Sequence, residues 1–159
     1  MTMTLNELFS RQNLLSKLIL KDGDKELSKD LKIKIIKTRI EIAKIRKSFD
    51  EDCQEAIKQM KPSDFDELAR KKDKTEEETK KLQEETKKLQ ADYDAFVNDK
   101  LKEKATLIPL TFSDAELAEI VDVNAGNNVE MTTNTGKGVN KVKIPAQDFL
   151  EMIGTLFSK

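Results

Sequence analysis

The 159-residue chain contains no histidine and no tryptophan, a single cysteine, three prolines and five glycines. Without histidine it lacks the commonest general base, metal ligand and pH switch of proteins. Cys53 alone can form neither an internal disulfide nor a thiolate metal cluster, which is compatible with a reducing compartment. Aromatic residues make up only 5% of the chain while charged residues make up 37%. A long helical rod tolerates that balance better than a compact globule does. No apolar run approaches the roughly 20 residues of a membrane span. Residues 14–20, Leu-Leu-Ser-Lys-Leu-Ile-Leu, are short and interrupted by a lysine, and the start of the chain lacks the pattern of a signal peptide. The expectation is a soluble chain that is not exported, with no membrane partner.

What is present is charge, unevenly distributed. The net charge is −1, so the overall balance attracts neither nucleic acid nor anionic lipid. Residues 25–47 carry nine Lys/Arg against three acids, residues 64–99 twelve acids against eight bases, and residues 105–136 five acids and no base. Opposite signs on successive segments favour their lying side by side.

Thr4 and Glu7 form a T-x-x-E capping box ahead of an apolar-periodic run, predicting a helix from about Leu5 to Leu20 that ends at Lys21-Asp22-Gly23-Asp24. A second helix is predicted from about Lys25 to Met60, with Leu31, Ile35, Ile42, Ile45 and Phe49 on one stripe and Ile33, Ile36 and Ile40 on a flanking one. Pro62 breaks the run. A third helix is predicted from Phe65 to Lys104, with Leu68, Thr75, Leu82, Leu89 and Phe96 at d-like positions and Thr79, Thr86 and Tyr93 at a-like positions. Inside it the seven residues Glu77 to Gln83 (EETKKLQ) are repeated without change as Glu84 to Gln90. A seven-residue copy lays each residue type on the same helix face. The pairs Glu77–Lys81 and Glu84–Lys88 then stand at i,i+4, each worth roughly 0.2–0.5 kcal/mol. Threonines at a and scarce leucines make a weak seam for a self-associating coil. The reading favoured is an intramolecular antiparallel hairpin with its tip near Pro62. Folding the chain there sets Ile42 opposite Leu82, Ile35 and Ile36 opposite Leu89, and Leu31 opposite Tyr93. The predicted hairpin core is Leu31, Ile35, Ile42, Leu82, Leu89, Tyr93, Phe96 and Val97.

After Lys104 the pattern changes. Residues 106–111 read as extended, and Ser113 and Glu116 form a second capping box opening a short helix. Two alternating runs, Val129–Thr133 and Val139–Ile144, flank a Gly-containing turn and read as a β-hairpin. Pro145 opens a last helix with Phe149, Met152, Ile153, Leu156 and Phe157 apolar; Phe149, Met152, Ile153 and Phe157 are the candidate partner-binding residues. The fold class is therefore mainly α: a long, coiled-coil-like antiparallel helical hairpin with an N-terminal helix (residues 1–105) and a small C-terminal α+β module (residues 106–159).

No residue pattern points to chemistry. Thr135-Gly136-Lys137-Gly138 lacks the G-x-x-x-x-G-K-[ST] spacing of a phosphate loop and suits a hairpin turn instead. The acids Asp114, Glu116 and Glu119 suit the first turns of a helix. The basic stretch 25–47 has no interleaved aromatics and is threaded by isoleucines expected to be buried, so pairing with an acidic helix or subunit is favoured over nucleic acid. The sequence is read as non-enzymatic, with no catalytic, cofactor-binding or metal-binding residues assigned and no cofactor.

The charged helical hairpin, the run Ile108-Pro109-Leu110 followed by Ser113-Asp114-Ala115-Glu116-Leu117, and Lys143-Ile144-Pro145-Ala146-Gln147-Asp148-Phe149-Leu150 together resemble small structural and morphogenesis proteins of tailed bacteriophages. Lysine exceeds arginine by twenty-five to four, as in many products of AT-rich genomes. The resemblance implies a virion component of the neck, tail or ring, assembled in the host cytoplasm and working through contacts with copies of itself or other virion proteins. The alternatives are a soluble coiled-coil assembly chaperone or adaptor, and a nucleic-acid-associated protein using the basic face of 25–47. The last has a direct test: it requires salt-sensitive DNA binding that is lost on charge reversal of Lys32, Lys34 and Lys37. We expect an electrophoretic mobility assay to show no such binding.

Overall fold

The structure, a computed structural model, describes the backbone of residues 1–135 and 138–157, and their side chains except at 131–140 and 155–157. The chain opens with strand β1 (Thr2–Thr4) and helix α1 (Leu5–Ser16). The Thr4 hydroxyl accepts from the Glu7 N–H at 3.3 Å, and Glu7 Oε2 accepts from the Thr4 N–H at 2.8 Å, the reciprocal box that the T-x-x-E spacing predicts. The helix ends before the expected Leu20, where the N–H groups of Lys17 and Leu18 turn back onto the carbonyls of Leu14 and Leu15. Short strands β2 (Lys21–Asp22) and β3 (Lys25–Glu26) then pair around Gly23. Its φ of 59° lies in the left-handed region that favours glycine.

Helix α2 (Lys29–Met60) buries Leu31, Ile35, Thr38, Ile42 and Cys53. The spacing of the first four keeps them on one face. Lys61 leaves the helix with an extended backbone (ψ 130°), as a residue before proline must. The expected third helix over 65–104 is two helices, α3 (Phe65–Arg70) and α4 (Glu76–Lys102). Thr75 is extended, its hydroxyl accepts from the Glu78 N–H, and the Glu78 carboxylate accepts from the Thr75 N–H. Thr75-Glu76-Glu77-Glu78 is thus a third capping box, and a cap breaks the heptad that placed Thr75 on the stripe.

That break resets the hairpin register. Helices α2 and α4 pack antiparallel as expected, but Tyr93 lies against Cys53 instead of opposite Leu31. Lys100 pairs with Asp52 at 2.8 Å. Lys81 pairs with Asp64 and Glu85 rather than with Glu77. The half-buried stripe of α4 runs through Glu78, Leu82, Glu85, Leu89, Tyr93, Phe96, Val97 and Leu101, whereas Thr79 and Thr86 are exposed. No side chain of α4 is fully buried. Glu85 sits on the inner stripe with its Oε2 buried and without a hydrogen-bond partner among the described residues, which weakens the seam.

Strand β4 (Lys104–Thr106) pairs antiparallel with β1, Thr2 opposite Thr106 and Thr4 opposite Lys104. Helix α5 (Asp114–Asn124) opens with the expected Ser113–Glu116 box. Strands β5 (Val129–Thr135) and β6 (Gly138–Ile144) form the expected hairpin; residues 136 and 137 of its turn lie outside the described residues. In α6 (Ala146–Phe157), Pro145 stands one position before the helix and its carbonyl accepts from Phe149.

One buried cluster joins Leu8 and Leu15 of α1, Leu31, Ile35 and Ile42 of α2, Leu107 and Leu110 of the following segment, Ile120 and Val123 of α5, and Phe149 and Ile153 of α6. The boundary expected at residues 105 and 106 therefore crosses a shared core. That core encloses backbone polar groups where α1 ends, and two side chains satisfy them. Arg39 of α2 donates to the carbonyls of Leu15 (2.7 Å) and Leu18 (2.7 Å). Asn124 of α5, fully buried, accepts from the Ile19 N–H (2.8 Å) and donates to the Ile19 carbonyl (3.0 Å). Replacing Asn124→Ala leaves both Ile19 groups without these bonds. The expected loss is about 2–4 kcal/mol, measured by urea unfolding at neutral pH.

Candidate functional site

The hairpin-core residues predicted from sequence divide in two. Leu31, Ile35 and Ile42 are buried, but in the shared core around α1. Leu82, Leu89, Tyr93, Phe96 and Val97 are half-buried along the arm. Cys53 is buried against Tyr93, and burial pushes its thiol up from the ordinary cysteine value. Of the candidate partner-binding residues, Phe149 and Ile153 are fully buried in the chain's own core, where α6 lies on α1 and α5. Met152 is 36% exposed, and the Phe157 side chain lies outside the described residues.

Two other surfaces stand open. On α2, Ile33, Ile36 and Ile40 are 39%, 41% and 50% exposed. They were expected to be covered. Spaced at i, i+3 and i+7, they form a ridge on the side of α2 opposite Leu31, Ile35 and Ile42. Lysines flank the ridge, and Lys29, Lys37 and Lys44 are exposed with no ion-pair partner among the described residues. The other charges of this basic stretch are engaged: Lys25 with Asp122 (2.6 Å), Lys32 with Glu26 (2.6 Å), Lys34 with Glu116 (2.8 Å). The Arg46 guanidinium lies 4.4 Å from the centre of the Phe9 ring.

The second surface is a groove of about 590 Å³ between α5 and α6, lined by Leu117, Val121, Ala125, Ala146, Leu150 and Gly154 with Glu151 at its side. Neither helix carries a lysine or arginine. No sequence pattern announced this groove, because alanine and glycine line much of it and only tertiary packing brings the helices together. A third concavity, at the arm's tip between α3 and α4, is lined by Asp64, Glu67, Leu68, Arg70, Lys71 and Glu78. Its charges are largely paired within the chain, Lys71 with Glu78 and Asp64 with Lys81.

Helix α5 is held against α2 by charge. Lys34 Nζ lies 2.9 and 2.8 Å from the two Glu116 oxygens and 5.4 Å from the centre of the Phe112 ring. The Ser28 N–H donates to Glu119 at 2.8 Å. Among the described residues no group of three or more His, Cys, Asp or Glu side chains is placed to hold a metal ion, and no described helix is long and apolar enough to cross a membrane. Neither family models, curated proteins nor solved structures gave a match to the chain.

The hydrogen bond from Lys34, followed by that from the Ser113 N–H, lowers the Glu116 carboxyl below the ordinary glutamate range. A lowered carboxylate stabilises the fold fully above its unfolded-state value and loses that contribution as pH falls through the folded-state value. Urea unfolding of wild type between pH 7 and pH 3 is expected to show stability falling below the ordinary glutamate range. Glu116→Gln is expected to start lower at pH 7 and fall less steeply.

Proposed function

We propose that this chain is a non-enzymatic structural subunit of a larger assembly, acting through subunit–subunit contacts, and that the assembly is the neck, tail or ring of a tailed-phage particle. The observation that carries the assembly reading is the arm. Helix α2 up to Phe49 and the C-terminal end of α4, where Leu101 packs on the core, belong to the body; the remainder of both helices, with α3 against α4, forms a projection with little interior of its own. At ~1.5 Å per residue the 27 residues of α4 reach roughly 40 Å. A projection of this kind adds little to the core's stability, so the reading assigns it to spanning between neighbours. The exposed isoleucine ridge supports the same reading, since clustered exposed apolar side chains mark interaction sites. The phage setting rests on the sequence resemblance.

The runner-up, an assembly chaperone that leaves the finished structure, uses the same surfaces. Mass spectrometry of purified particles encoded alongside this chain separates the two. The structural reading expects the chain in the particle in many copies. Absence from particles, together with abundance in the infected-cell lysate, selects the chaperone.

A further inference from the structure

We infer that the isoleucine ridge of α2 docks into the α5/α6 groove of a second copy of this chain, in a head-to-tail contact. The inference names the subunit contact that the assembly reading calls for and rests on that reading. Three observations carry it.

The first is shape. The ridge is a single helical row, Ile33, Ile36 and Ile40, standing out from α2. The groove is a trough between two helices whose small residues, Ala125, Ala146 and Gly154, leave room for an incoming row of side chains. Leu117, Val121 and Leu150 provide its apolar walls.

The second is charge. The ridge is flanked by lysines with no ion-pair partner among the described residues, Lys29, Lys37 and Lys44. The groove lies between helices with acids and no bases. Glu116, Glu119 and Asp122 are already engaged at the α2 side. Asp114, one turn before Leu117 on the same face of α5, and the absence of any base on either helix give the groove its sign. Complementary rims steer encounter and fix register.

The third is direction. On α5, Glu116 and Glu119 face α2, whereas Leu117, Val121 and Ala125 lie about half a turn round the helix and open away from it. The ridge likewise points away from its own core. A copy cannot place its ridge in its own groove, but a neighbour can. Because ridge and groove are different patches, the contact is heterologous and propagates into a ring when the rotation closes, or into a filament when it does not.

The test uses two surface variants of the full chain, Ile36→Glu on the ridge and Val121→Lys in the groove. Their side chains are 41% and 50% exposed, and unchanged circular dichroism and urea midpoints verify that each still folds. Sedimentation velocity over a concentration series is expected to show wild type associating beyond dimer. Each variant alone should associate at least about thirtyfold more weakly, the loss expected for a central contact. An equimolar mixture should recover a dimer and nothing larger, because one intact ridge meets one intact groove. Three results overturn the inference: wild type that stays monomeric at every concentration, variants that associate like wild type, or a mixture that stays monomeric. Wild type that remains monomeric yet binds anionic vesicles through Ile36 also overturns it, assigning the ridge to lipid. A chain found in particles but monomeric alone removes this contact and leaves the assembly reading standing. A chain that associates as described but is absent from particles leaves the contact and removes the phage setting.

Discussion

The exit of α1 is the constraint on which the remaining architecture depends. Between Leu15 and Ile19 the backbone ends a helix at the edge of the core, with Leu15 and Leu18 buried and Ile19 half-buried, so its carbonyls and N–H groups take partners from the chain. Unpaired, each such group costs more than a typical hydrogen bond contributes. Arg39 reaches in from α2 and Asn124 from α5, so satisfying one stretch of backbone fixes three helices relative to one another. Asn127 extends the arrangement by donating to the Lys17 carbonyl and to Asn124 Oδ1. Apolar packing alone would tolerate several placements of α5; hydrogen-bond geometry at Ile19 does not. The position of α6 over α1 and α5, and so the groove between the last two helices, follows from that fixed point.

The two ends of α2 live under different physics. Around Leu31, Ile35 and Ile42 the helix is held by burial on one side and by ion pairs to α5 on another. Beyond Phe49 it is one half of a thin pair, held by Cys53 against Tyr93, Asp52 against Lys100, and the capped start of α4. Exposed ion pairs contribute little each, so the arm depends on local helix-stabilising features such as the Thr75–Glu78 box. Such segments open at lower free energy than a packed core. The same division explains why the isoleucine ridge is tolerated. It lies over the well-held half of the helix, where the core behind it keeps the backbone in place.

Local signals were legible in the sequence and long-range ones were not. The boxes at Thr4 and Ser113, the stop at Pro62 and the alternation around residues 129–144 each depend on neighbours within a few positions, and each is found where expected. Thr75 carries the same box inside the expected heptad run, and a cap outranks a stripe where the stripe offers only threonine, as at Thr75 and Thr79. With five residues removed from the helix, the arm's pairing shifted and the predicted partners of Leu82, Leu89 and Tyr93 changed with it. The pairing of β1 with β4 joins residues a hundred positions apart and leaves no local trace. As for the surfaces, Ile33, Ile36 and Ile40 were visible as a stripe, but whether a stripe is covered depends on how many neighbours arrive. Phe149 and Ile153 were visible as apolar, and only the packing of α6 on α1 decides that they face inward.

Strand pairing at the base of the molecule has a consequence for the duplicated EETKKLQ. The ammonium of Met1 donates to the Leu107 carbonyl, and β1 and β4 are stitched together from Thr2 to Thr106, so both ends of the long excursion are anchored at one place. Seven residues are close to two full turns, so one copy more or fewer advances α4 by about 10 Å while leaving Leu82, Leu89 and everything beyond on their original face. A matching change in α2 would keep the two helices level. The arm is in this respect a graduated ruler: its reach can be reset in fixed steps, independently of the body that carries it.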